Sequence, residues 1–100
     1  MTNRMELDGT VIKDPIRSLS PAGVAHCRFW LEHRSTVLEA NYPRQVYCRM
    51  PVIVSGQGLN DVTKQLVLGS NVKVSGFVAY QTGRNGVGKL VLHAENIINI

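Results

Sequence analysis

Gly58-Leu59-Asn60-Asp61-Val62-Thr63-Lys64-Gln65-Leu66-Val67-Leu68-Gly69 is the one stretch of this 100-residue chain with helical spacing. Leu59, Val62 and Leu66 fall at i, i+3 and i+7, Asn60 suits an N-cap and Gly69 a C-terminal stop, so a helix of about two turns is expected over 58–68. The sequence on both sides alternates with period two instead. A short helix is thus set into a chain of strands.

Upstream, Met5, Leu7, Gly9 and Val11 alternate with Glu6, Asp8, Thr10 and Ile12 until Asp14-Pro15 ends the strand. Residues 15–23 read as a loop, with Ser20-Pro21-Ala22-Gly23 as turn punctuation. From Val24 to Arg34 a second strand sets Ala25, Cys27, Phe29 and Leu31 on one face and His26, Arg28, Trp30, Glu32 and Arg34 on the other. Ser35 to Arg44 reads as a polar connection. Val46, Cys48, Met50, Val52 and Val54 form the inward side of a third strand, where Pro51 signals an edge, bulge or barrel corner.

Downstream, Val72, Val74, Gly76, Val78 and Tyr80 mark a fourth strand, and Leu90, Leu92 and Ala94 a fifth that runs toward Ile100. Between them Gln81 to Lys89 carries three glycines, Arg84 and Lys89, as a flexible hairpin would. Three strands, a small helix and two strands is the order of an OB-fold. The expectation is therefore all-β: a five-stranded Greek-key barrel with one short helix between strands three and four, residues 1–100 forming one domain. An open sandwich is the other arrangement this order permits.

Composition narrows the partners. Apolar residues make up 44% of the chain, enough for a core, while 11 Lys and Arg against 7 Asp and Glu give a net charge of +4. A small basic domain is drawn to nucleic acid or another anionic surface. The N-terminal run is broken by Arg4, Glu6 and Asp8, so no signal peptide is read there, and no window is long enough for a membrane span. With only Cys27 and Cys48, and no C-x-x-C pair, the thiols are expected reduced and the protein cytoplasmic.

Catalytic chemistry finds no anchor. Cys27 and Cys48 share the core face of their strands and read as inert apolar fillers rather than nucleophiles. His26, His33 and His93 lie on separate strands or strand ends without metal-ligand spacing, and the seven acids form no paired-carboxylate site beyond a solvated Glu6 and Asp8. Gly83-x-x-Gly86-x-Gly88 lacks the G-K-[ST] ending and strand-to-helix setting of a phosphate loop. The expectation is no enzyme, no metal and no cofactor.

Cations and aromatic rings, by contrast, fall together. Arg34, Tyr42, Arg44, Tyr47 and Arg49 lie within sixteen residues that contain a single acid, Glu39. The parity of the third strand turns Tyr47 and Arg49 outward, Arg28 and Trp30 share the outward face of the second, and Arg84 and Lys89 add charge from the late hairpin. Rings that stack on bases and cations that track phosphates are what hold single-stranded nucleic acid. Each residue also has an ordinary explanation: an outward Tyr is good strand chemistry, and a scattered Arg suits a solvated surface. Trp30 fits three roles: a base platform, a subunit contact or a residue covered by a loop.

The residues also resemble a family. Asn3 to Val11, Asp14-Pro15, Ser20 to Gly23 and Gly69 to Gly76 are similar to bacterial single-stranded-DNA-binding proteins. Leu31-Glu32-His33-Arg34-Ser35, Met50 to Gly56 and Leu90 to Glu95 resemble more narrowly the primosomal replication protein N (PriB) family, over the whole chain. That resemblance implies a homodimeric OB-fold that binds single-stranded DNA in the replication-restart primosome, joins the PriA helicase and helps bring in DnaT. It places DNA-contacting aromatics at Tyr42 and Tyr47, where relatives usually carry Phe and Trp, and cations at Arg34, Arg44, Arg84 and Lys89. Thr82 stands where relatives usually have Lys. The competing reading is an OB-fold protein-interaction module whose nucleic-acid affinity is incidental.

Overall fold

The computed structural model describes residues 1–56, 58 and 60–100. Its strands are β1 (Met5–Val11), β2 (Ile16–Leu19), β3 (Ala25–Glu39), β4 (Tyr42–Ser55), β5 (Asn71–Thr82) and β6 (Gly88–Asn99), with the helix α1 (Asn60–Lys64) between β4 and β5. They run in the order β1-β5-β6-β4-β3-β2, and β1 also pairs with β3. That last pairing closes β1, β5, β6, β4 and β3 into a five-stranded barrel. β2 lies outside it, and among the described strands pairs with β3.

Closure happens where β1 passes from β5 to β3. Thr10 pairs with both Asn71 and Glu32, and Val11 pairs with Leu31. Gly9 permits this crossing, because a Cβ there would lie 2.1 Å from the Glu32 carbonyl oxygen. Inside, Val11, Cys27, Phe29, Leu31, Val52, Val54, Leu66, Val72, Val74, Leu92 and Ile97 form the core. At roughly 1.5–3 kcal/mol per fully buried aliphatic or aromatic side chain, this cluster is the main stabilising element of the barrel. In β6 the inward parity changes. Ser75 pairs with Asn96 but Gly76 with Ala94, so Glu95 is the extra residue of a bulge and Ile97, rather than Asn96, turns inward.

Two stretches read as connections are strand. β3 and β4 pair without a break from His26 and Ser55 to Glu39 and Tyr42, so the polar connection expected over 35–44 is the outer half of a long hairpin. Its turn residues Ala40 and Asn41 both have left-handed backbone, φ 52° and 69°, as a two-residue type I′ turn requires. Thr36 through Gln45 are exposed on both faces, which erases the apolar alternation that marks a half-buried strand. The loop expected over 15–23 likewise contains β2, whose Ile16 and Leu19 are exposed. Backbone pairing with β3 and a hydrogen bond from the Arg17 guanidinium to the Thr63 carbonyl hold it.

The helix is shorter than its pattern. It ends at Lys64, after which Gln65 and Leu66 donate to the Val62 and Thr63 carbonyls in tighter i→i−3 bonds. Val62 and Leu66 nonetheless cap the core as their spacing predicts. The expected contributions of Leu59 and of the Asn60 side chain lie outside the described residues. Gly69, at φ 92°, donates its N–H to the Val11 carbonyl, so it turns the chain into the closure region rather than stopping α1 directly.

Candidate nucleic-acid interface

Cross-strand partners share a face, so the ladder between β3 and β4 orders the outward side chains into rows. Arg34 stands beside Tyr47, Glu32 beside Arg49, Trp30 beside Pro51 and Arg28 beside Ile53. The last row continues across the barrel, since Ile53 pairs with His93 and His93 with Phe77. Four rows cover about 20 Å of strand, the reach of several nucleotides.

At one end of the strip four side chains lock together. The Arg34 guanidinium carbon sits 4.6 Å from the centroid of the Tyr47 ring. Its Nε lies 3.2 Å from Glu32 Oε1, and the Tyr47 hydroxyl donates to Glu32 Oε2 at 3.2 Å. Arg49 Nε donates to the Tyr47 hydroxyl oxygen at 2.8 Å, which raises the Arg49 pKa above its already high ordinary value. Arg49 is therefore a permanent cation. Tyr47 is about half exposed, and the Arg34 guanidinium lies over one face of its ring.

At the other end Lys89, from the start of β6, brings its ammonium 5.2 Å from the centroid of the Trp30 ring. Trp30 is half-buried in a groove of about 260 Å³ whose walls include Ile16, Arg28, Pro51, Ile53 and Val91. Arg84 projects from the turn between β5 and β6 into an adjoining hollow shared with Arg28 and Lys89. The structure thus gathers Trp30, Lys89 and Arg84 at this end, and Arg34, Tyr47 and Arg49 at the other.

Tyr42 and Arg44 stand apart. Both are exposed near the tip of the long hairpin, where Arg44 Nη1 meets Glu39 at 3.3 Å. Their even numbering on β4 gives them the opposite parity from Tyr47 and Arg49, so along the ribbon they face the other way. Cys27 is buried, and desolvation pushes its thiol pKa up, with Arg17 opposing weakly. Cys48 keeps the inward parity expected of it but is only half-buried, because the barrel ends near that level. Among the described residues no three metal-ligating side chains cluster, and no helix is long and apolar enough to cross a membrane.

Two features of the face were not among the site residues read from sequence. Glu32 shares the parity of Trp30 and Arg34, which would have placed it in the strip. Phe77 and His93 stack at 4.8 Å with their planes 6° apart, a contact visible only once the pairing of β5 with β6 is known.

Comparison with known proteins adds the kinship. The model of a family described as another single-strand binding protein family matches residues 3–96. Replication restart protein PriB of Vibrio vulnificus (strain YJ016) is 79% identical over 100 residues, covering both chains fully. Among solved structures, PriB of Ralstonia solanacearum covers 100% of both chains with a TM-score of 0.80 at 23% identity. The Plasmodium falciparum SSB in complex with ssDNA gives 0.82 at 19% identity, over 100% of this chain and 96% of that one. At such identities these two establish a shared fold.

Proposed function

The chain belongs to the PriB family of replication restart proteins, within a single-strand binding protein family, and on that premise we propose that it binds single-stranded DNA through the outward face of β3 and β4, without catalysing a reaction. The observation that carries the reading is the cluster of Arg34, Tyr47 and Arg49: a half-open ring flanked by two guanidinium groups on a rigid ladder. Such a platform offers a π-face to any base and charge to the flanking phosphates, so affinity follows strandedness rather than sequence. Trp30 and Lys89 extend the path toward Arg84. Tyr42 and Arg44 extend it onto the hairpin, where a strand would pass from one side of the ribbon to the other.

The finer reading follows the family. The protein acts in the cytoplasm as an accessory of the replication-restart primosome, as one homodimeric OB-fold domain with the Greek-key path, and bridges PriA helicase to DnaT at stalled forks. A C₂ dimer would put two copies of the basic face on one particle, so that one DNA strand could engage both.

Titration with oligothymidylate and with duplex of equal length tests the DNA reading. Single strands should bind far more tightly, and with about four phosphate contacts log affinity should fall with log salt at a slope of roughly −3. Equal affinity for duplex, or none of this salt dependence, would count against it. A pull-down with PriA and DnaT, with and without DNA, tests the bridging.

A further inference from the structure

We propose that Glu32 is a built-in stand-in for phosphate, which holds Arg34 and Arg49 in the free protein and which single-stranded DNA must replace. The inference rests on the reading of the β3–β4 face as the DNA-binding face.

Glu32 is the one acid in the four rows from Arg28 to Arg34 and from Tyr47 to Ile53. Its side chain is 22% exposed, against 71% for Arg34 and 57% for Arg49. The carboxylate is thus the fixed member of the cluster and the two guanidinium groups are the movable ones. Both oxygens are engaged: Oε1 takes Arg34 Nε at 3.2 Å, while Oε2 accepts from the Tyr47 hydroxyl at 3.2 Å and lies 4.0 Å from Arg49 Nε. A phosphate diester likewise presents two charged, non-bridging oxygens to a guanidinium. Glu32 and a DNA phosphate therefore compete for the Arg34 donor, and for the charge of Arg49, whose Nε donates to the Tyr47 hydroxyl and meets Glu32 only as an ion pair at 4.0 Å.

The arrangement has a second effect. With Arg34 tied to Glu32, its guanidinium lies 4.6 Å over the Tyr47 ring and covers the face on which a base would stack. Binding is then an exchange: phosphates take Arg34 and Arg49, a base takes the ring, and Glu32 keeps the Tyr47 hydroxyl. Because one anion replaces another, fewer counterions are released than the number of cations implies. The grip on DNA is correspondingly weaker and more readily reversed. Glu32 is in these terms a positioning residue, which touches the arginines and not the DNA.

Glu32→Gln keeps the size and an acceptor for the tyrosine hydroxyl while removing the charge. Its affinity for oligothymidylate at low salt should rise about three- to tenfold, as expected when two exposed ion pairs no longer compete. Its salt slope should steepen by about 0.7 for each arginine released. In the parent protein the Arg34 side-chain proton resonances should be shifted by the Tyr47 ring current, and oligothymidylate should abolish that shift. A Glu32→Gln protein of unchanged melting temperature that binds no more tightly overturns the inference. So do Arg34 resonances that stay ring-shifted in the complex, a measurement that decides alone if the variant does not fold. A parent that fails to prefer single strands over duplex removes the DNA reading itself, and this inference with it.

Discussion

Lys89, at the head of β6, holds its ammonium 5.2 Å from the centroid of the Trp30 ring on β3, although β4 lies between those two strands in the sheet. The contact ties the late hairpin to the Trp30 end of the outward face. It also makes the single tryptophan of the chain an optical reporter of that region. Binding of single-stranded DNA should change Trp30 emission as Lys89 leaves the ring for a phosphate. Lys89→Ala should flatten the salt slope by about 0.7 and weaken binding about equally on every sequence. An unaltered slope in that variant would show that Lys89 serves only to cover the indole.

Barrel closure depends on the missing side chain of Gly9. A Cβ there would meet the Glu32 carbonyl at 2.1 Å, backbone against backbone, with no flexible group to give way. Gly9→Ala should cost about 3 kcal/mol or more, lowering the melting temperature by over ~10 °C for a domain of this size. Calorimetry reads this directly, and a loss under about 1 kcal/mol would mean that β1 and β3 separate easily at that point.

The buried Cys27 thiol gives the stability a defined alkaline dependence. Its pKa is raised above 9.0 in the folded chain, chiefly by desolvation. The neutral thiol therefore favours the fold, a contribution fully present below pH 9 and lost as pH rises through the folded value. Denaturant melts from pH 7 to 11 should show stability falling less steeply above pH 9 in Cys27→Ala than in the parent, even though that variant is less stable throughout. Native Cys27 should also react with thiol reagents more slowly than the half-buried Cys48.

Dimerisation is expected from the family and from the apolar surface that one chain leaves open. Ile12 and Trp30, apolar positions whose parity in the sequence turns them outward, are each partly covered within the single chain. Tyr80 and Leu90 instead form a cross-strand pair that is two-thirds and more than half exposed. Sedimentation should report about twice 11.0 kDa. A monomer at tens of micromolar would contradict the expectation.

What was legible in the sequence was whatever the core imposes. Ala25, Cys27, Phe29 and Leu31, and Val72 and Val74, alternate because each inward side chain packs against the barrel interior, so the five barrel strands and the outward placement of Trp30, Arg34, Tyr47 and Arg49 could be read from parity. The outer half of the long hairpin could not. From Thr36 to Gln45 neither face is buried, and the turn uses Ala40-Asn41 rather than the Asn-Gly or Asp-Gly that usually announces such a loop. β2 was hidden for the same reason, since its exposed Ile16 and Leu19 leave only backbone pairing to define it. The Glu95 bulge, which turns Ile97 inward, is set by pairing with β5 and leaves no mark in β6 alone.

The central claim, that the Tyr47 ring is a stacking platform supported by cations, is tested most directly by oligothymidylate titration of Tyr47→Ala and Tyr47→Phe beside the parent over a range of salt. Tyr47→Ala should weaken binding by about 1–3 kcal/mol with nearly the parent slope, because a stacking contact is lost and no phosphate contact with it. Tyr47→Phe, which keeps the ring and gives up the hydrogen bonds to Glu32 and Arg49, should bind within about threefold of the parent. If Tyr47→Ala binds as tightly as the parent at equal melting temperature, or loses affinity only in step with a flattened slope, Tyr47 is a structural strand residue and the account is contradicted.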